Sequence, residues 1–282
     1  MSPEDILADA IGKRLAQRHS PKPMVVGLCG AQGSGKSTVA ATLAARFERA
    51  VTFSMDDLYL GHAARLDLAK RIHPLLATRG VPGTHDPMLG VEVLSALAQG
   101  QSVALPRFDK AHDDRAPCES WRVVEAGCEL VIFEGWCVGA RPQQAEDLVD
   151  PINRLEAEED REGRWRRFVN DALGGAYQQL FNCIDMLALL AAPAWDTVLR
   201  WRIEQERELR AASPDGSGVM DDCAVARFVS YFERLTGHIL AEMPGRADLV
   251  LRLDESRDCV GIETLVPSDA PSPLRASGPS LS

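Results

Sequence analysis

Lysine is scarce in this 282-residue chain: five of its 31 basic residues are lysine and the rest are arginine. A lysine in a special loop therefore stands out. Basic residues are outnumbered by 41 acidic ones, giving a net charge of −10. That balance excludes a general binder of nucleic-acid backbones, though not a local basic pocket for a small anion. No apolar run approaches the ~20 uninterrupted residues of a membrane span; the one around Met186–Ala192 is far too short. The seven cysteines include no Cys-x-x-Cys pair, so neither a disulfide framework nor a zinc ribbon is expected. Met1–Ala10 lacks the basic-then-apolar order of a secretory signal. The expectation is a soluble, cytoplasmic protein with reduced thiols and with neither nucleic acid nor membrane as a partner. The oligomeric state is not legible.

What is present is an ordinary globular balance, 45% hydrophobic and 26% charged residues, enough for a large core without disulfides or metal. Residues 4–18 carry Ile6, Leu7, Ala10, Ile11 and Leu15 on one helical face, and the Pro21-Lys22-Pro23 break follows. Met24–Cys29 reads as a buried strand, Lys36–Glu48 as a helix and Val51–Ser54 as a second strand, which is the opening of a parallel sheet. Further strands are expected at Ser102–Leu105, Glu129–Phe133, Asp185–Leu190 and Asp248–Leu253. Two helices with clean periodicity lie between them, one from Trp165 to Leu180 and one from Val225 to Ile239, each with a core-facing stripe. Arg164, Arg166 and Arg167 are expected in solvent beside the first stripe, and Trp121 and Trp136 as packing residues. The expected division is an N-terminal helical extension over 1–20, a main domain over 21–266, and a Ser-, Pro- and Ala-rich disordered tail over 267–282.

Gly30-Ala31-Gln32-Gly33-Ser34-Gly35-Lys36-Ser37 matches G-x-x-x-x-G-K-[ST], with Thr38 following, an apolar strand before it and an amphipathic helix after it. Glycines let successive backbone N–H groups converge on phosphate oxygens, and the helix N-terminus adds the positive end of its dipole. In such a loop Lys36 reaches the terminal phosphates of ATP and the Ser37 hydroxyl can ligate Mg²⁺. Two further segments narrow the chemistry. Ser54-Met55-Asp56-Asp57-Leu58-Tyr59 follows the second strand, where a carboxylate can take a proton from an attacking hydroxyl. Leu130–Gly135 is a strand ending in Glu134, an acid placed to hold Mg²⁺ directly or through water. No Asn-Lys-x-Asp segment is present to read a guanine base.

These three segments, in this order, resemble the uridine kinase and phosphoribulokinase group of P-loop kinases. Pro106-Arg107-Phe108-Asp109 with Arg115 resembles that group's acceptor-side segment, Asp196–Arg202 its Arg-bearing lid helix, and Ala247–Val250 its last strand. A narrower match is to the D-glycerate 3-kinases. It is carried by His73–Leu76, Arg79–Asp86, Phe108-Asp109-Lys110, Phe133–Cys137 and Trp201–Glu206, and it covers roughly residues 24–260. The stretch after Phe-Asp-Lys, Ala111–Ala116, is shorter than in plant-type relatives.

The resemblance implies an α/β fold, a doubly wound parallel sheet of the P-loop NTPase type with a helical lid. It implies transfer of the γ-phosphoryl of ATP, with Mg²⁺, to a small hydroxy acid such as D-glycerate, giving 3-phosphoglycerate. Asp56 is then the catalytic base, with Lys36 and Glu134 beside it. Acceptor contacts are expected from Asp57, Tyr59, His85, Asp86, Arg107, Asp109 and Arg115, and lid contacts from Arg200 and Arg202. A carboxylate on the acceptor would be held by arginines drawn from Arg79, Arg107, Arg115 and Arg202. The alternatives are a kinase for uridine, pantothenate or a sugar phosphate, or an ATP-binding regulatory module without catalysis. The pattern Arg200, Glu204, Arg207 also fits a solvated ion-pair face.

Overall fold

The computed structural model describes residues 1–212 and 221–265; the segment expected as a tail lies outside them. Helix α1 (Pro3–Gln17) starts with a reciprocal capping box between Ser2 and Asp5 and buries Ile6, Leu7 and Ile11. Strand β1 (Met24–Gly30) is buried along its whole length and leads through the Gly-rich loop into α2 (Lys36–Arg46) and β2 (Ala50–Ser54). Helices α3 (His62–Arg71) and α4 (Pro87–Ala98) follow, the second capped by Asp86. Four short strands come next: β3 (Val103–Leu105), β4 (Phe108–Asp109), β5 (Asp114–Arg115) and β6 (Arg122–Val124). The core resumes with β7 (Leu130–Gly135), α5 (Arg154–Glu159), α6 (Arg164–Gly174), α7 (Ala176–Phe181) and β8 (Met186–Ala191). Helices α8 (Trp195–Ala212) and α9 (Asp222–Glu242) and strands β9 (Leu249–Leu253) and β10 (Cys259–Thr264) complete the described chain.

The main sheet has the order β10-β9-β8-β1-β7-β2, parallel except for β10, which runs antiparallel along β9. Helices cover both faces. On one face α1, α2 and the start of α8 bury Leu7, Leu43, Val198 and Trp201 against Val26, Leu28, Ile132 and Leu251. On the other, α4, α7 and α9 bury Leu94, Leu180, Phe232 and Leu235 against Val25, Phe133, Leu189 and Val250. Burial on two faces is why these strands read as continuous apolar runs rather than alternating ones. The chain leaves β1 toward β2 on one side and later returns to β8 on the other. The loop after β1 therefore opens at the point where the strand order reverses, where sheets of this kind bind ligands.

Three expectations need correction, and one element was not foreseen. The segment at 102–105 forms a strand but pairs only with β6, in a two-stranded ribbon apart from the main sheet. The periodic segment from Trp165 to Leu180 is two helices, because Gly174 and Gly175 interrupt it and Gly175 leaves helical geometry at φ −94°, ψ −116°. The edge strand β10 had no sequence-based counterpart. Arg166 is buried, whereas Arg164 and Arg167 are exposed as expected. Its guanidinium donates to the carbonyls of Leu148, Val149 and Asp160 and to the Asp160 carboxylate, at 2.7–3.2 Å.

That buried hub generates a stability prediction. Arg166→Met removes the guanidinium from the Asp160 carboxylate, which keeps only the backbone N–H groups of residues 165 and 166, and from the carbonyls of Leu148 and Val149, and should cost about 3–5 kcal/mol. Arg164→Met on the solvent side should stay within about 0.5 kcal/mol of the parent. Urea denaturation of both variants checks this; equal losses would contradict the buried network.

Candidate active site

The loop between β1 and α2 is shaped by its glycines. Gly33 and Gly35 hold left-handed φ angles of +76° and +81°. A Cβ on Gly33 would lie 2.6 Å from the Cβ of Trp201 on α8, so both conformation and close packing demand glycine there. Gly35 begins α2 without any side-chain cap. The first N–H groups of the helix are thus available to an anion, with the dipole favouring negative charge. Ser34 is buried beside them with its hydroxyl unpartnered by protein. This donor set fits phosphate oxygens.

Glu134 ends β7 between the two strands that carry the other groups, its register partners being Leu28 on β1 and Ser54 on β2. It is 7% exposed. Its Oε1 accepts from Ser37 Oγ at 3.1 Å and from Ser54 Oγ at 2.8 Å. The Ser54 oxygen in turn accepts the N–H of Asp56 at 3.3 Å. Asp56 begins no regular helix; it sits in the short 3₁₀ turn Met55–Leu58 directly after β2. Its Oδ1 accepts from the Tyr59 hydroxyl at 2.9 Å and its Oδ2 from Lys110 Nζ at 2.7 Å. Burial opposes ionisation of Asp56, but the ammonium groups of Lys110 and Lys36 and the Tyr59 hydroxyl outweigh it. The carboxyl therefore lies below the usual carboxylate range. Asp57 goes the other way, raised chiefly by burial, and its Oδ1 accepts the backbone N–H of Phe108 at 3.0 Å.

A cavity of about 360 Å³ opens over these groups, lined by Gln32, Gly33, Lys36, Ser37, Asp56, Tyr59, Arg79, Lys110, Trp136, Arg202, Gln205, Phe228 and Phe232. A second, of about 330 Å³, continues along the other side of the loop past Thr38 to Glu208 and Arg257. Among the described residues no cluster of three His, Cys, Asp or Glu side chains is assembled. The hard oxygens of Ser37 and Glu134 at a phosphate-binding loop suit a cation that takes the rest of its shell from phosphate and water, as Mg²⁺ does.

The remaining candidates separate. Arg202 lines the cavity and pairs with Glu206, while Arg200, expected beside it, turns away to Thr197 and Glu255. Arg79 reaches the cavity from a pairing with Asp113, which also holds the buried Arg65. Arg107 is exposed and is not among the lining residues. Arg115 is committed to the Tyr59 carbonyl and to Asp86, and Asp86 caps α4. Asp109 caps its own turn through the N–H groups of Ala111 and His112. His85 is buried behind Tyr59, with ring centroids 4.5 Å apart and Nδ1 2.8 Å from the Tyr177 hydroxyl oxygen. Asp86, Asp109, Arg115 and His85 thus support neighbouring backbone and side chains rather than line the cavity, and Arg107 is not among the lining residues either.

Sequence reasoning missed Lys110 and Arg257 as site residues. Lys110 had a signal, since it closes the Phe108-Asp109-Lys110 segment. Arg257 had none. It stands in the turn between β9 and β10 at a φ of 72° and donates to the Gly33 carbonyl at 2.6 Å and to Glu204 at 2.7 Å. Its guanidinium also covers the Trp201 ring at 5.3 Å. One side chain thus ties the phosphate loop to α8.

Comparison with known proteins bears on this geometry. A model of the phosphoribulokinase/uridine kinase family matches residues 25–150. An uncharacterized kinase of Schizosaccharomyces pombe, mug58, is 36% identical over 253 residues, covering 82% of this chain and 87% of that protein. A chloroplastic D-glycerate 3-kinase of Arabidopsis thaliana is 31% identical over 260 residues. That match covers 84% of this chain and 54% of the plant protein, so the chain spans about half of that relative's length. Among solved structures, a D-glycerate 3-kinase from Cryptococcus neoformans superposes with a TM-score of 0.76 at 26% identity, covering 93% of this chain and 99% of that one.

The wall generates a pH prediction. Burial lowers His85 from 6.5 to about 4, so the folded protein keeps it neutral while the unfolded chain protonates it as pH falls below 6.5. The unfolded state then binds more protons, and stability drops with falling pH by about 2 kcal/mol at pH 5 from this group alone. His85→Gln should remove that part of the loss. Denaturation at pH 8 and pH 5 measures it, and an unchanged pH slope in the variant would count against a buried neutral imidazole.

Proposed function

The chain belongs to the phosphoribulokinase/uridine kinase family, and from that premise we propose that this ATP-dependent P-loop kinase takes D-glycerate as its acceptor and forms 3-phosphoglycerate. It is a phosphotransferase acting on an alcohol group. The observation that carries the acceptor reading is the charge of the cavity. Arg79, Lys110 and Arg202 line the cavity beside Lys36, in a chain whose net charge is −10, and among the described residues Asp56 is the one carboxylate in that lining. A small hydroxy acid matches this: its carboxylate meets the cations while its hydroxyl faces Asp56. The relatives named as D-glycerate 3-kinases support the same reading.

The geometry supports the following roles in the reaction. The loop N–H groups and Lys36 hold the phosphates and follow the charge that moves with the phosphoryl group. Ser37 and Glu134 would hold Mg²⁺, which neutralises phosphate charge when bound. Asp56 accepts the proton of the acceptor hydroxyl. A carboxylate below its usual range is ionised at neutral pH but is a weak base, which suits a loose transition state where proton transfer comes late. Arg202, on the helix packed against the loop, adds positive charge to the same cavity. Lys36, Ser37, Asp56 and Glu134 around one cavity speak against a regulatory module without catalysis, since a pure switch has no use for a base. A second reading, a nucleoside acceptor, is favoured by the aromatic wall of Trp136, Phe228 and Phe232. The cytoplasm is the proposed location, and among the described residues no helix is long and apolar enough to cross a membrane.

Two measurements test this. ATP consumption with D-glycerate, glycerol, uridine and pantothenate as acceptors should give the highest kcat/KM for D-glycerate, well above glycerol. Parity between D-glycerate and glycerol refutes a carboxylate site, and preference for uridine selects the nucleoside reading. In the second, Asp56→Asn should lower kcat by about 10²-fold with little change in nucleotide affinity. A larger loss in Asp57→Asn than in Asp56→Asn would move the base by one residue.

A further inference from the structure

Both oxygens of the Asp56 carboxylate already have partners, and one of the two is a cation. Tyr59 donates to Oδ1 from a buried position in the wall. Lys110 donates to Oδ2 from a side chain that is 61% exposed. The two contacts differ in kind. The Tyr59 ring is fixed between His85 and Phe108, with centroids at 4.5 and 5.2 Å. The Lys110 backbone is anchored, but its four-carbon stem is not. Asp57 fixes the strand before it through the Phe108 N–H, and Asp109 caps the turn after it. An anchored backbone with a free stem lets the ammonium exchange partners within the cavity without any movement of the chain.

The other two acceptor-side cations are occupied by carboxylates that play no part in proton transfer, Arg79 by Asp113 and Arg202 by Glu206. Only the partner of Lys110 is the base itself. An ammonium on Oδ2 holds negative charge on that oxygen and occupies it, while Tyr59 occupies the other. The Lys110 end of the pair is 61% exposed and the Asp56 end 32%, so a second carboxylate entering the cavity can reach the ammonium and exchange one ion pair for another.

We propose that Lys110 makes phosphoryl transfer depend on an anionic acceptor, by covering the Asp56 carboxylate until the acceptor's own carboxylate draws the ammonium away. The proposal rests on the hydroxy-acid reading of the cavity. With the ammonium moved, the acceptor hydroxyl gives its proton to Asp56 Oδ2, its oxygen bonds to the γ-phosphorus, and the bond from that phosphorus to the bridging oxygen breaks to release ADP. Water carries no carboxylate, leaves Lys110 in place and finds the base covered. The same contact therefore selects the acceptor and limits wasteful ATP hydrolysis.

The test uses the full chain with ATP and Mg²⁺, comparing the parent with Lys110→Met and Lys110→Arg. Three quantities are read: acceptor-free ATP hydrolysis, the D-glycerate to glycerol ratio of kcat/KM, and D-glycerate binding by calorimetry. Lys110→Met should raise acceptor-free hydrolysis, and should weaken D-glycerate binding and lower the ratio by about tenfold or more, the loss of one charged hydrogen bond. Lys110→Arg should restore all three in large part, which a purely structural role would not require. Hydrolysis by Lys110→Met at the parent rate overturns the proposal whatever the acceptor proves to be. A parent enzyme inactive with D-glycerate instead removes the hydroxy-acid reading, and the hydrolysis comparison still decides whether Lys110 covers the base.

Discussion

One buried carboxylate sets the geometry of the whole site. Glu134 sits at the end of β7, in register with Leu28 on the strand that feeds the phosphate loop and with Ser54 on the strand that feeds the base. A carboxylate removed from water must be hydrogen-bonded or coordinated, and Glu134 meets that demand with two hydroxyls, Ser37 from the loop helix and Ser54 from β2. Satisfying its own desolvation therefore pins two elements to one point. Because Ser54 also caps the turn that carries Asp56, the position of that carboxylate, the proposed base, follows from the same contact. The parallel sheet supplies the register, and the switch in strand order supplies the opening above it.

Charge is distributed against the average of the chain. A protein with a net charge of −10 brings Lys36, Arg79, Lys110 and Arg202 to the rim of a single cavity. A cleft with one sign of charge, set in a surface of the other, concentrates small anions and repels polyanions only weakly bound elsewhere. On this reading, two of the five lysines in the chain serve the two ends of the reaction, one at the phosphates and one at the acceptor. The arginines are held in place by carboxylates, and their planar forks keep fixed directions. The lysines keep mobility.

The legible part of this architecture was the part written locally. The phosphate loop, its flanking strand and helix, and the acids after β2 and at the end of β7 all reside in segments of fewer than ten residues whose spacing is itself the chemistry. The continuous apolar runs at Met24–Cys29 and Leu130–Phe133 were legible because burial on two faces leaves no alternation. What was hidden depends on residues far apart in sequence. Arg166 looks like any arginine on a polar face, and only the carbonyls of Leu148 and Val149, supplied by another loop, make it a core residue. Arg257 reaches Gly33 across most of the chain. Arg200 and Arg202 stand two apart on one helix, so one faces the cavity and the other cannot, yet the sequence alone does not say which. The Gly174-Gly175 pair was visible, but a periodic apolar stripe runs through it and masks the break.

The central claim is that Glu134 organises the phosphate loop and the proposed base, Asp56, together. It is tested most directly by Glu134→Gln, which keeps the shape of the side chain and removes its charge. With the fold verified by an unchanged denaturation midpoint, the account predicts that kcat falls by about 10–100-fold and that the Mg²⁺ concentration giving half-maximal rate rises. Turnover and Mg²⁺ dependence both equal to those of the parent would contradict it.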